Sequence, residues 1–269
     1  MTTSPGTTCA KTPEVAKLPV AAGGQIGYGA RFLSRESLRI LGVFLLVVLP
    51  LWGFAGLADE LREGEGFFFD QPILLALHQI ASPGIDALFV TISKLGYQLG
   101  VLPADVLIVA WLLYRRRYRD GLFFGLAVIG SLLVNLAVKG HFARLRPELW
   151  ASIAPEMSYS FPSGHAMGSA TLAAALVVLL WRPRWRWWAL AGGMAFVLLV
   201  GISRVYLGVH YPSDILAGWT AAIAWVMAMH WLVASRAPLP VSTAAAPATH
   251  DAIADSGTAQ HARANGRDV

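Results

Sequence analysis

The stretch "LRILGVFLLVVLPLWGFAGL", residues 38–57, carries one charged side chain in twenty positions. Twenty residues of helix rise about 30 Å, the thickness of a bilayer's hydrocarbon core. No water reaches that layer, so a segment inside it must satisfy its own backbone hydrogen bonds, and a helix does so. The run therefore reads as a transmembrane helix, and it sets the fold class because other long apolar runs follow it along the chain. Further apolar runs lie at about 97–114, 120–139, 164–181, 186–203 and 212–234. The run at 97–114 is the weakest, interrupted by Pro103 and Asp105. The expectation is an all-α protein, a six-transmembrane helical bundle without internal repeats.

Composition agrees. The chain has 269 residues, of which 56% are hydrophobic and 14% charged, against about 25% charged in soluble domains. Mean hydropathy is +0.55. Ten tryptophans suit the membrane–water interface. The net charge of +5 does not call for nucleic acid as a partner, because the arginines flank apolar segments as cytoplasmic anchors do. Cys9 is the only cysteine, so neither an internal disulfide nor a cysteine metal site is expected, and no apolar core precedes it to make a lipoprotein signal.

The bundle is expected over residues 31–235, between tails at 1–30 and 236–269 whose composition points to disorder. Between the first two spans, "FFFDQPILLALHQIAS" (67–82) reads as a short interfacial helix, capped by Asp70 and with Pro72 in its first turn. A further apolar stretch follows near 85–95. Basic loops, "RRRYR" (115–119) and "RPRWRWW" (182–188), together with Arg31, Arg35 and Arg39, assign both termini to the cytoplasm. The acidic "ADELREGEGFFFD" (58–70) then falls outside. Six spans bring the 140–163 and 204–211 loops to that same outer face.

These two loops hold most of the polar residues that topology leaves unexplained. Lys139, Arg144 and Arg146 follow the third span, "PSGH" (162–165) opens the fourth, Arg204 closes the fifth, and His210 and Asp214 open the sixth. Ser163 and Gly164 stand at a helix N-terminus, where free N–H groups and the helix dipole favour an anion. Lys139, Arg146 and Arg204 add positive charge, and arginine's planar fork suits phosphate oxygens. His165 and His210 can divide the work of a nucleophile and an acid–base group. Asp214, four residues after His210, is placed to accept a hydrogen bond from one ring nitrogen and aim the other. The set suits phosphoryl transfer, in which positioning and electrostatic stabilisation supply most of the catalysis.

Taken singly, each residue has a plainer explanation. Lys139 can snorkel, Ser163 can cap a helix, and Asp214 and Pro212 suit a helix start. Arg144 reads as a solvated or headgroup-facing charge. His78 and Asp105 receive no role. The plain explanations leave unexplained why these groups meet on one face at successive helix ends.

Three motifs, "KGHFARLRP" (139–147), "PSGH" (162–165) and "SRVYLGVHYPSD" (203–214), occur in order and with the spacing of the type 2 phosphatidic acid phosphatase (PAP2) superfamily. The chain resembles these integral membrane lipid phosphatases at every motif position. The resemblance implies that His210 attacks phosphorus and forms a phosphohistidine, oriented by Asp214. It implies that His165 protonates the leaving lipid oxygen and then activates water. Lys139, Arg146 and Arg204, with Ser163 and Gly164, would hold the phosphoryl oxygens. It also implies no metal or other cofactor, and the sequence offers no carboxylate or cysteine cluster for one.

The implied substrates are lipid phosphates and diphosphates of the undecaprenyl diphosphate, phosphatidic acid or phosphatidylglycerophosphate class, met at the outer face of a bacterial inner membrane. Partners are then the substrate and the surrounding lipids. Two alternatives use the same residues: a phosphotransferase passing the phosphoryl group to an acceptor lipid, and a non-catalytic receptor or transporter that only binds. The related cradle of vanadium haloperoxidases belongs to soluble proteins, which six spans count against.

Overall fold

The computed structural model describes residues 1–2, 37–38, 40–64, 66–181 and 184–235. Residues 3–30 and 236–269 of the tails expected to be disordered, Arg31, Arg35 and Arg39, and Arg182 of the second basic loop, lie outside those residues. The described chain is all helical: α1 (Ile40–Arg62), α2 (Asp70–Gln79), α3 (Pro83–Leu95), α4 (Val101–Tyr114), α5 (Tyr118–Phe142), α6 (Gly164–Leu179), α7 (Arg186–Tyr206) and α8 (Pro212–Ser235).

Each expected span falls on a helix. Four of them, α1, α5, α7 and α8, are long and apolar enough to cross a membrane, while α4 and α6 are shorter apolar helices. The trimming of α4 has a local cause. Residues 96–100 form turns rather than helix, which puts Pro103 in the first turn of α4, where a missing N–H is harmless. Within α1, a wider π turn at Phe44–Val48 ends two residues before Pro50, which cannot donate to the regular ladder.

Helix α6 lies at the centre and packs against α4, α5, α7 and α8; α8 also touches α1 and α5, and α3 packs on α7. Its buried side is largely small, with Ala166, Ser169, Ala170, Thr171, Ala173 and Ala175, so neighbouring backbones approach closely. At the crossing with α8, a Cβ on Gly218 would lie 3.0 Å from the Ser163 carbonyl oxygen. Alanine there would push apart the two helix starts that carry the second and third motifs. The outward leucines of α5, among them Leu132, Leu133 and Leu136, are exposed, as suits side chains facing lipid rather than a protein core.

Two expectations need correction. Asp70 does not cap α2: it is the first helical residue, no side-chain cap bond is made, and its side chain is buried. Arg144 is not solvated. Its side chain is 12% exposed and lies among carboxylates, because Ala143 takes a left-handed conformation (φ 45°) that ends α5 and turns the chain inward.

Candidate active site

The C-terminal ends of α5 and α7 meet the N-terminal ends of α6 and α8, so residues far apart in sequence share one pocket. The geometry of the two connecting loops makes this possible. Gly208, at φ +67°, lets the chain reverse between α7 and α8, and the Trp150 ring packs where a side chain would stand. The loop from 143 to 163 is tied down at Ser160 N–H, which donates to the Arg144 carbonyl (2.8 Å), and at Ser152 Oγ, which donates to the Leu207 carbonyl (2.7 Å).

His210 is fully buried. Its Nε2 is 3.1 Å from Arg146 Nη1. A guanidinium only donates, so Nε2 carries the lone pair and Nδ1 the proton. Nδ1 faces Asp214 Oδ2 at 3.4 Å, a loose contact. That oxygen is itself fixed by the Ser160 hydroxyl and by the Tyr211 N–H (2.9 Å). Burial, followed by the charges of Arg204 and Arg146, pushes the His210 imidazole well below its usual range. The geometry thus holds a neutral imidazole with its lone pair among cations.

Three cations surround that lone pair. Arg146 spreads its fork over the Ser158 carbonyl (2.7 Å), the Val209 carbonyl (2.6 Å) and Glu156 Oε2 (2.7 Å). Lys139, on the last turn of α5, donates to Ser158 Oγ at 3.1 Å, and Arg146 Nη2 reaches the same oxygen at 3.0 Å. Arg204 is buried in the last turn of α7, donates to Ser93 Oγ at 2.5 Å and pairs with Glu156 Oε1. His165, in the first turn of α6, has Nδ1 3.8 Å from Glu156 Oε1 and its ring against Tyr97, with centroids 5.0 Å apart. Ser163 caps α6, accepting from the Ala166 N–H (3.4 Å), and its own N–H donates to the Asp214 carbonyl (3.1 Å). Gly164 follows as the first helical residue, where a Cβ would come within 3.3 Å of Asn135 Oδ1.

All eight residues singled out from the sequence therefore converge. Lys139, Arg146, Arg204, His165 and His210 ring one spot, Asp214 backs His210, and Ser163 and Gly164 form the helix start beneath. Ser163 spends its hydroxyl on the cap, so what it offers an anion is the helix terminus it stabilises.

Several residues escaped sequence reasoning. Arg144 links two buried acids, donating to Asp70 Oδ2 (2.9 Å) and Asp214 Oδ1 (2.6 Å), and lies over the Tyr211 ring at 4.1 Å. Asp70 also accepts from the Ser213 N–H (2.9 Å) and hydroxyl (2.6 Å), tying α2 to the start of α8. Ser93, on α3, and Tyr97, in the turn before α4, complete the Arg204 and His165 surroundings. No spacing rule connects these to the motifs. Glu156 did carry a signal: it is the only acid between Glu148 and Asp214. Burial opposes its ionisation, but the guanidinium charges of Arg204 and Arg146 outweigh that and hold its carboxyl at about 2. Among the described residues there is no cluster of histidine, cysteine and acidic groups fit to hold a metal ion.

Known proteins resemble this chain in sequence and fold. The sequence profile of the PAP2 superfamily matches residues 120–238, the segment that holds all three motifs. Phosphatidylglycerophosphatase B of Bacillus subtilis (strain 168) is 34% identical over 161 residues, covering 57% of this chain and 78% of that protein. An undecaprenyl-diphosphatase of Sulfolobus acidocaldarius is 30% identical over 201 residues, covering 72% of this chain and 92% of that protein. Among solved structures, a transmembrane PAP2 type phosphatidylglycerolphosphate phosphatase from Bacillus subtilis superposes with a TM-score of 0.62 at 27% identity, over 70% of this chain and 98% of that one. With its motifs, helical frame and relatives in agreement, this chain belongs to the PAP2 superfamily.

Proposed function

We propose that the protein removes phosphate from lipid phosphates or diphosphates, through a phosphohistidine on His210 and without a metal ion. Substrates are of the undecaprenyl diphosphate, phosphatidic acid or phosphatidylglycerophosphate class. The observation that carries the reading is the His210 lone pair, held in a ring of Lys139, Arg146, Arg204 and His165 that already contains one anion, the Glu156 carboxylate.

In the first step Nε2 of His210 attacks phosphorus while the bond to the lipid oxygen breaks, and His165 gives that oxygen a proton. In the second, His165 takes a proton from water, the water oxygen attacks phosphorus, and the P–N bond returns its electrons to Nε2. The Nδ1–H of His210 faces Asp214 throughout, so charge developing on the imidazole is met by a fixed carboxylate. Arg146, Arg204 and Lys139 stabilise the equatorial oxygens, where charge gathers in phosphoryl transfer.

The wider reading has six spans, with α4 and α6 crossing as shorter helices inside the bundle and α2 lying at the interface. Both termini face the cytoplasm and the site faces outward, in a bacterial inner membrane. The basic loops at 115–119 and 182–188 support that orientation.

The test is phosphate release by detergent-purified protein across a panel of mono- and diphosphate lipids. Release without an added acceptor distinguishes a phosphatase from a phosphotransferase. No release from any lipid, with or without acceptors, overturns the proposal.

A further inference from the structure

Glu156 occupies the centre of the anion site, yet it is more exposed than the two arginines and the histidine it faces. Its side chain is 27% exposed, against 13% for Arg146, 12% for His165 and 2% for Arg204. It stands in the irregular loop between α5 and α6, and both neighbours in sequence, Pro155 and Met157, are exposed. Its side-chain bonds are to the cradle: Oε2 to Arg146 at 2.7 Å, and Oε1 to Arg204 with His165 Nδ1 3.8 Å away. A carboxylate with two oxygens on two guanidinium groups presents the charge and geometry of two phosphoryl oxygens. Two anions cannot share those donors.

We propose that Glu156 is a tethered competitor for the phosphoryl group, which swings out when a lipid phosphate enters and returns to expel the product phosphate. The inference rests on the phosphatase reading above and assigns a specificity and release role within that site. Its physical basis is a difference in anchoring. A lipid phosphate arrives held by its chains in the bilayer, so losing its freedom of motion costs little more at the site. Free phosphate has no such tether and must displace a carboxylate attached to the protein itself. The competitor therefore weighs against phosphate more than against the lipid, which limits product inhibition and disfavours soluble phosphate compounds.

His210 adds a second reason. It is fully buried, and Arg146, the residue that Glu156 engages through Nη2, covers its lone pair through Nη1. Exchange of the carboxylate for a phosphoryl group draws the same arginine onto the substrate and frees Nε2 to attack.

The test compares the full-length protein with Glu156→Gln and Glu156→Ala in detergent. Inorganic phosphate is the probe, read by calorimetry and as an inhibitor of lipid turnover. Removing the competing charge is expected to tighten phosphate binding by about tenfold or more, the range of a charge-assisted bond. KM for the lipid falls, and kcat falls with it because phosphate leaves more slowly. Phosphate binding that weakens or stays unchanged in both variants overturns the inference and makes Glu156 a brace for the two arginines. Loss of fold in both variants overturns it for the same reason. If the unmutated protein neither binds phosphate nor releases it from any lipid, the phosphatase reading itself fails; turnover by the unmutated protein without tighter phosphate binding in the variants sinks this inference alone.

Discussion

Replacing Arg144 by methionine tests whether the chain holds Asp214 as the geometry implies. Arg144 is 12% exposed and pairs with two carboxylates, Asp70 and Asp214, whose side chains are 3% and 0% exposed. Removing one partner of a buried ion pair costs roughly 3–5 kcal/mol. Here neither acid is fully orphaned. Asp70 keeps the Ser213 N–H and hydroxyl, and Asp214 keeps the Ser160 hydroxyl and the Tyr211 N–H. The lower end, about 3 kcal/mol, is therefore expected. At about 2–4 °C per kcal/mol for a chain of this size, the melting temperature falls on the order of 6–12 °C. Activity falls too, because Asp214 loses the group that fixes Oδ1, and misplacement of a reacting group costs on the order of a hundredfold. Thermal melting in detergent and kcat/KM on one lipid phosphate read the two effects. Arg144→Lys, which keeps the charge but not the fork, falls between. The double variant Asp70→Asn/Arg144→Met recovers part of the stability and none of the activity. A melting temperature within about 2 °C of the unmutated protein, well under the expected shift, together with unchanged kcat/KM, would refute the reasoning.

Three other outcomes follow from the site. Because burial and the neighbouring arginines lower the His210 pKa below 6.5, the neutral nucleophile persists as pH falls through that value. The acid limb of kcat/KM therefore lies below pH 6.5 once the substrate's own ionisation is allowed for, and a His210 limb at pH 7 or above contradicts the burial argument. Bound phosphate adds negative charge beside the ring, so the limb of kcat lies higher than that of kcat/KM. With p-nitrophenyl phosphate, whose leaving group needs no proton, His165→Ala should release a burst of one nitrophenolate per site and then stall; steady turnover at the unmutated rate would remove His165 from the second step. Turnover is expected to survive EDTA, whereas complete loss restored by a divalent ion would argue for a metal enzyme.

How much was legible in the sequence depended on the range of the interaction. Apolar runs are a local signal, and all six landed on helices, with end points shifted where Pro103 or Gly100 set the turn. The convergence of the eight candidate residues was legible because three motifs place them near helix ends, and such ends gather where the loops alternate across a bundle. Arg144 was misread for the opposite reason. Its partners lie 74 and 70 positions away in sequence, and nothing local distinguishes a headgroup-facing arginine from one folded onto buried acids. Asp70 failed in the same way, since its neighbourhood fits a cap and its real partners are Arg144 and Ser213. Glu156 is the only acid between Glu148 and Asp214, but its meaning requires knowing that Arg146, Arg204 and His165 converge on it.

The central claim is that Nε2 of His210 takes the phosphoryl group. The most direct measurement is to quench His165→Ala protein in alkali during reaction with 32P-labelled p-nitrophenyl phosphate, whose leaving group needs no proton from His165, then locate the label by mass spectrometry. The account expects an alkali-stable, acid-labile phosphoryl group on the peptide containing His210, absent when His210→Ala is added. Label on another residue, or turnover by His210→Ala at the unmutated rate, would contradict it.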